Sequence, residues 1–146
     1  MNTTPESCSC VALRQAARHL TRLYDEALAP AGIGVNQYSI TATLERHGPQ
    51  HLQALADRLT MDRSTLGHLL KPLTARAWVE VGVASTDRRH RLIALTSEGK
   101  AINARARPLW AEVEQRFARA FGAEEAVALR QTLKHVALID LAGGSP

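Results

Sequence analysis

The stretch LQALADRLTMDRSTLGHLLKPL, Leu52 to Leu73, decides the fold. Its apolar residues fall into two sets. Leu52, Leu55, Ala56 and Leu59 lie on one helical face, while Leu66, Leu69, Leu70 and Leu73 recur at i, i+3, i+4 and i+7 on a second. Thr60-Met61-Asp62 leaves room only for a turn, and Asp62 is placed to cap the second helix by accepting backbone N–H bonds. The spacing predicts one helix over 50–59 and another from Arg63 onward. Opposite its leucines the second helix carries Arg63, Ser64, Thr65, His68 and Lys71. Pro72 removes a backbone donor there and should bend the helix or tighten its last turn. Such a pair reads as helix-turn-helix, although an ordinary αα-hairpin with a wet polar face has the same pattern.

The residues that follow separate the two readings. Trp78-Val79-Glu80-Val81-Gly82-Val83 alternates as a strand, and the segment from Arg91 to Thr96 reads as its partner. Between them the stretch Ala84 to His90 forms a basic loop that carries Asp87, Arg88, Arg89 and His90, with Arg91 at its exit. A two-stranded ribbon directly after a helix-turn-helix, with arginines at its tip, is a wing. Such a tip can reach a minor groove, where narrow A·T-rich stretches concentrate negative potential. Asp87 is expected to pair with a nearby Arg and hold it in one rotamer, which lowers the entropy lost on meeting DNA.

Helices are predicted on both flanks. Leu13, Ala16, Ala17, Leu20, Leu23, Tyr24, Ala27 and Leu28 share one face of a helix over 10–28, which Pro30 and Gly32 end. A second helix is expected over 36–46, with Tyr38, Ile40, Thr41 and Leu44 inward and His47-Gly48-Pro49 as its stop. After the wing, Ser97-Glu98-Gly99 opens a long helix carrying Ile102, Ala106, Leu109, Trp110, Val113, Phe117 and Phe121. At about 24 residues it would be about 36 Å long, more than a small winged domain needs for its own core. Gly122 ends it, and a last amphipathic helix is expected over 124–141. The excess apolar face at both ends of the chain is what a second copy would bury. The expected class is mainly α (α+β). It places an N-terminal dimerisation helix and linker at 1–35, a DNA-binding lobe at 36–97 and C-terminal dimerisation helices at 98–146.

Charge agrees with a polyanion partner. The chain has 146 residues and a net charge of +4. Residues 58–91 hold seven Arg and Lys against three acids, so the whole excess lies in this central segment. No apolar run approaches the roughly 18 residues of a membrane span, and no signal peptide is read at the N-terminus, so a cytoplasmic location is expected. No Gly-rich phosphate loop, HExxH or GxSxG occurs, and the six histidines are scattered, so enzyme activity is not expected. A helical adaptor that uses the same fold without DNA is the other non-enzymatic class. No cofactor or metal is expected.

Together these residues resemble the MarR family of bacterial transcriptional regulators. The resemblance is carried by Leu52 to Leu73 and by DRRHRLIALTSEG, Asp87 to Gly99, and the order of elements extends it over nearly the whole chain. It implies a homodimeric winged helix-turn-helix regulator, a repressor more than an activator, on a pseudo-palindromic operator of double-stranded DNA. By position Asp87 and Arg89 match the family's wing pair, and Arg63 to Lys71 its recognition helix. Ala77 departs from the pattern, since the family commonly has Gly between this helix and the wing strand. The resemblance further implies a small aromatic acid or phenolic effector, for which Arg18, Arg22, Tyr38, His47 and Trp110 are the candidate lining. Core packing for Tyr38 and Trp110, and a wet helix face for the arginines, are the plainer assignments.

Some relatives sense organic hydroperoxides through one Cys at the start of the first helix. Cys10 lies where that thiol would be and Tyr24 where such sensors place a tyrosine, with Cys8 as the candidate resolving partner. Arg14 and Val35 stand where those sensors resemble one another in having further tyrosines. Cysteines that merely pack or fray, and a soft metal on Cys-x-Cys, are the other readings; no further ligand appears at recognisable spacing for the metal.

Overall fold

The structure is a computed structural model that describes residue 4, residues 7–84 and residues 87–140, excluding the side chains of 83, 84 and 87–90. The chain divides into two compact units, residues 1–110 and residues 111–146.

In the first unit, α1 (Ser9–Leu28) passes through a 3-10 turn, Ala29–Ala31, into α2 (Val35–His47). Asp25 of α1 accepts the Val35 N–H at 2.7 Å, placing a carboxylate at the positive end of α2. Then follow β1 (Gln50–His51), α3 (Leu52–Leu59), α4 (Arg63–Ala75), β2 (Val79–Ala84), β3 (Asp87–Leu95) and α5 (Ser97–Phe121). The sheet order is β1-β3-β2, antiparallel throughout, with Gln50 opposite Ile93 and Val81 opposite the same residue on the other side. Strand β1 is not expected from sequence, because two residues carry no alternation to read. It shortens the first helix of the pair to 52–59. The ribbon also differs from expectation: β3 begins at Asp87, which pairs with Ala84, and residues 88–90 lie in an irregularity of the ladder where the register shifts between Val83 and Ala84.

The main core lies under the helix pair. Ile40, Leu44, Leu55, Ala56, Leu66, Leu70, Leu73, Val79 and Ile93 are buried together, and Leu69 packs against them half-buried. A second cluster joins Leu28, Ile33, Tyr38, Ile102 and Ala106, and Trp78 packs against both. Pro72 leaves α4 unbroken to Ala75, and the helix closes in a Schellman motif: Trp78 N–H donates to Leu73 O at 2.9 Å and Ala77 N–H to Thr74 O at 3.0 Å. Ala77 occupies the left-handed position of that motif, at φ 55°. Ala77→Gly should therefore raise stability by about 0.5–1 kcal/mol, the left-handed cost of an L-residue less the extra unfolded-state freedom of glycine. Urea unfolding should show a higher midpoint at unchanged slope, and an equal or lower midpoint would contradict the assignment.

Helix α5 opens on a cap that its sequence conceals. The Thr96 hydroxyl accepts the Gly99 N–H at 3.0 Å while donating toward Ala77 O at 2.6 Å, so one side chain ties the helix start to the turn after α4. In the second unit α6 (Ala123–Val136), shorter than expected, buries Ala126, and Arg130 pairs with Glu114 at 3.2 Å.

Candidate nucleic-acid interface

Helix α4 is built to show one face. Leu66, Leu70 and Leu73 are buried, which leaves Arg63, Ser64, Thr65, His68 and Lys71 exposed on the other side. Asp62 caps the helix, as its position predicts: Oδ1 accepts the Thr65 N–H at 2.8 Å and Oδ2 the Thr65 hydroxyl at 2.6 Å. Those hydrogen bonds from Thr65 hold the Asp62 carboxyl below its ordinary value, so it is ionised at neutral pH and the cap is in place. The capping stability is present above the unfolded carboxyl value and is lost only as pH falls through the depressed one. Thr65 has spent its hydroxyl proton on Asp62, so toward a nucleic acid it offers an acceptor and a methyl group.

The ribbon meets this face along a groove of about 460 Å³. Leu52, Leu70, Val81 and Ile93 floor it, while Lys71 of α4 and Arg91 of β3 line it together. Gly67 lies beside them with open space where a Cβ would sit. The fold thus gathers residues twenty positions apart into one basic groove. The side chains of Asp87, Arg88, Arg89 and His90 lie outside the described residues, so the expected pairing of Asp87 with an arginine does too. Arg76, in the same basic segment, is already engaged: it donates to Gly32 O at 2.9 Å and stacks 4.8 Å from the Trp78 ring centre.

The profile of the MarR family matches residues 33–90. Over 91% of this chain and 100% of the other, the fold is similar to the M. tuberculosis transcriptional regulator MosR in complex with DNA, at 28% identity and a TM-score of 0.76. Across residues 33–90, which hold α2 to α4 and the first strand of the ribbon, the chain is similar to the MarR family of transcriptional regulators. A second similar MarR-family structure is a mutant of E. coli MarR complexed with operator DNA, 25% identical with a TM-score of 0.77 over 86% of this chain and 90% of that one. Among curated proteins, the uncharacterized HTH-type transcriptional regulator YwoH of Bacillus subtilis (strain 168) is 27% identical over 88 residues. That match covers 60% of this chain and 64% of YwoH, so it spans less than two thirds of the relative's length. Regulators of the MarR family act by binding DNA and are not enzymes. Among the described residues no helix is long and apolar enough to cross a membrane.

The effector candidates divide into two groups. Tyr38, His47 and Trp110 line one groove of about 320 Å³ with Ser39, Thr43 and Arg46. The Tyr38 and Trp110 rings lie 6.3 Å apart, tilted by 45°. Burial raises the Tyr38 phenol above its ordinary value against the pull of Arg107, so the hydroxyl keeps its proton. Desolvation and the guanidiniums of Arg58 and Arg46 hold His47 below the usual imidazole value, so it is neutral at neutral pH. Arg18 and Arg22 are not brought there within one chain. Arg18 lies with Arg14, Ala17 and Thr21 on the exposed face of α1, and Arg22 contacts His19 at 3.3 Å. Arg46, Glu45 and Arg107 do border the grooves, and sequence reasoning missed all three because each looks like an ordinary solvent-facing helix charge.

Cys8 is the N-cap residue of α1, and Cys10 lies in its first turn; both are free and exposed. Tyr24 sits on the same helix, about 21 Å along it from Cys10 at 1.5 Å per residue, so the two do not meet within one chain. Among the described residues no group of His, Cys, Asp and Glu could hold a metal.

Proposed function

We propose that the protein is a cytoplasmic, homodimeric repressor that binds a pseudo-palindromic operator. In this reading Arg63, Ser64, Thr65, His68 and Lys71 enter the major groove, and Asp87 to Arg91 reach the flanking minor groove. The observation that carries it is the groove shared by Lys71 and Arg91, since a helix cation and a ribbon cation on one surface are what a DNA backbone needs. The DNA complexes of MosR and of E. coli MarR support the same partner. Dimerisation through residues 1–35 and 98–146 is supported by large apolar side chains left exposed: Val11 and Leu23 on α1, and Phe121, Val127, Leu133 and Val136 in the second unit. Nuclease footprinting on DNA flanking the gene tests the proposal. Two protected half-sites, centred about one helical turn apart (~34 Å), are expected; unprotected DNA across the region would reject it.

A small aromatic acid in the Tyr38, His47 and Trp110 groove is the proposed effector, supported by an aromatic pair beside Arg46. Peroxide sensing through Cys10 is the second reading, favoured by its exposure in the first turn of α1. If Cys10→Ser releases DNA under peroxide just as wild type does, that reading fails.

A further inference from the structure

Helices α2 and α5 are joined by polar contacts that neither the core nor a DNA-reading face requires. Thr41 and Asn103 are fully buried, and the Thr41 hydroxyl donates to Asn103 Oδ1 at 2.7 Å. The Asn103 amide donates to Glu45 Oε2 at 2.9 Å, and Arg107 donates to the same oxygen at 2.9 Å. The series of contacts thus starts at a buried hydroxyl and ends at a guanidinium that is 59% exposed.

Its place in the topology gives it leverage. The DNA-reading segment, residues 50–95, leaves α2 after His47 and returns to α5 at Ser97. These are the two points where it joins the rest of the chain, and the contacts clasp the helices at that base. Arg107 and Glu45 also line a groove of about 380 Å³ with Tyr38, Ala42, Arg46 and Trp110. Two guanidiniums against one carboxylate leave this groove with one uncompensated positive charge.

The geometry points to the Glu45–Arg107 contact, backed by Asn103 and Thr41, as the switch through which a monoanionic aromatic ligand alters DNA binding. The inference rests on the effector reading of the adjoining Tyr38, His47 and Trp110 groove, which shares Tyr38, Ala42, Arg46 and Trp110 with this one. The ligand carboxylate takes Arg107 from Glu45, one carboxylate replacing another on a solvent-facing guanidinium, where exchange costs little. Burial of the ligand ring against Tyr38 and Trp110 supplies the driving force. Asn103 keeps its hold on Glu45, because breaking that bond would leave the amide N–H of a fully buried side chain without its acceptor. One link at the base opens and the other remains as a pivot. The opened state is favoured because only there does Arg107 bind the ligand, which is the differential contact a population shift needs.

The test compares full-length wild type with Glu45→Gln and Arg107→Gln, both solvent-facing changes. Calorimetry follows binding of benzoate and 1-naphthoate, with benzyl alcohol as the neutral probe. Anisotropy follows affinity for a duplex that the wild-type protein selects from a random pool. Wild type should prefer the acids, and their saturation should lower DNA affinity by about tenfold, within the usual span of allosteric coupling. Glu45→Gln removes the competitor for Arg107, so it should bind the acids a few-fold (~3) more tightly while its DNA affinity changes by less than about twofold on adding them. Arg107→Gln should lose the preference for acid over alcohol. If wild type binds neither acid, the effector reading falls and the switch with it. If Glu45→Gln binds the acids and releases DNA by the wild-type factor, the groove stands as an effector site and the switch is refuted.

Discussion

Replacing Arg89 by alanine is expected to weaken binding to a selected operator duplex by about ten- to a hundredfold, with the fold intact. That range corresponds to the roughly 1–3 kcal/mol carried by a well-placed arginine contact in a groove. Arg89 lies on β3 between the Ala84–Asp87 and Val83–Arg91 pairs, so deleting its side chain removes a cation without removing a paired position of the ladder. Arg76→Ala is the informative contrast. It deletes a cation from the same basic segment, but that guanidinium already serves the Gly32 carbonyl and the Trp78 ring. Its loss should appear in thermal stability and leave operator affinity within about threefold of wild type, as expected of a residue outside the contact set. Equal affinity losses in the two variants would mean that net charge, not the wing, governs binding.

The largest effect on the fold is expected at Gly99. A Cβ there would collide with the Trp78 carbonyl oxygen and the Leu95 side chain. The carbonyl cannot retreat, because it accepts the Thr96 N–H at 3.1 Å and is held by the strand that follows it. Gly99 also donates the N–H that the Thr96 cap requires. Gly99→Ala should therefore cost about 3 kcal/mol, overpacking joined to loss of a cap, and lower the melting midpoint by roughly ten degrees for a chain of this size. Gly67→Ala makes the opposite case within the same lobe. Nothing lies within 4 Å of its would-be Cβ, so the helix gain of about 1 kcal/mol should appear unopposed. Calorimetry on the pair separates them: similar midpoints would refute the close approach at Gly99.

The contrast explains which parts of the molecule are legible in sequence. Long elements with a buried face announce themselves, because burial of Leu66, Leu70 and Leu73 imposes the very spacing that sequence displays. Strand β1 does not, since it is created by pairing with β3 and not by any pattern of its own two residues. The start of β3 misleads for a similar reason: charged residues from Asp87 to His90 look like a loop, yet the strand begins at Asp87, which pairs with Ala84. The Thr96 cap hides behind Ser97-Glu98, which resemble a better helix start but bond to each other at 3.0 Å.

Much less of the groove beside Tyr38 and Trp110 can be seen. Tyr38, His47 and Trp110 are legible as aromatic or titratable residues on helix faces. Glu45, Asn103 and Arg107 are not, because their chemistry depends on contacts between residues about sixty positions apart that only the fold brings together. Asn103 in particular looks like any helix-surface amide, and nothing local says that it is fully buried. Arg18 and Arg22, which the resemblance suggests as lining, lie within one chain on the exposed face of α1, apart from that groove.

The central claim is that this chain reads DNA through α4 and the wing. It is tested most directly by anisotropy titrations of the selected duplex and a scrambled one between about 50 and 200 mM salt. Neutralising several phosphates predicts a steep fall in affinity, on the order of a thousandfold for six contacts, on both duplexes. Base reading predicts that the selected duplex stays tighter at every salt concentration, by about a thousandfold or more. A flat salt response, or equal affinity for the two duplexes, would contradict the account.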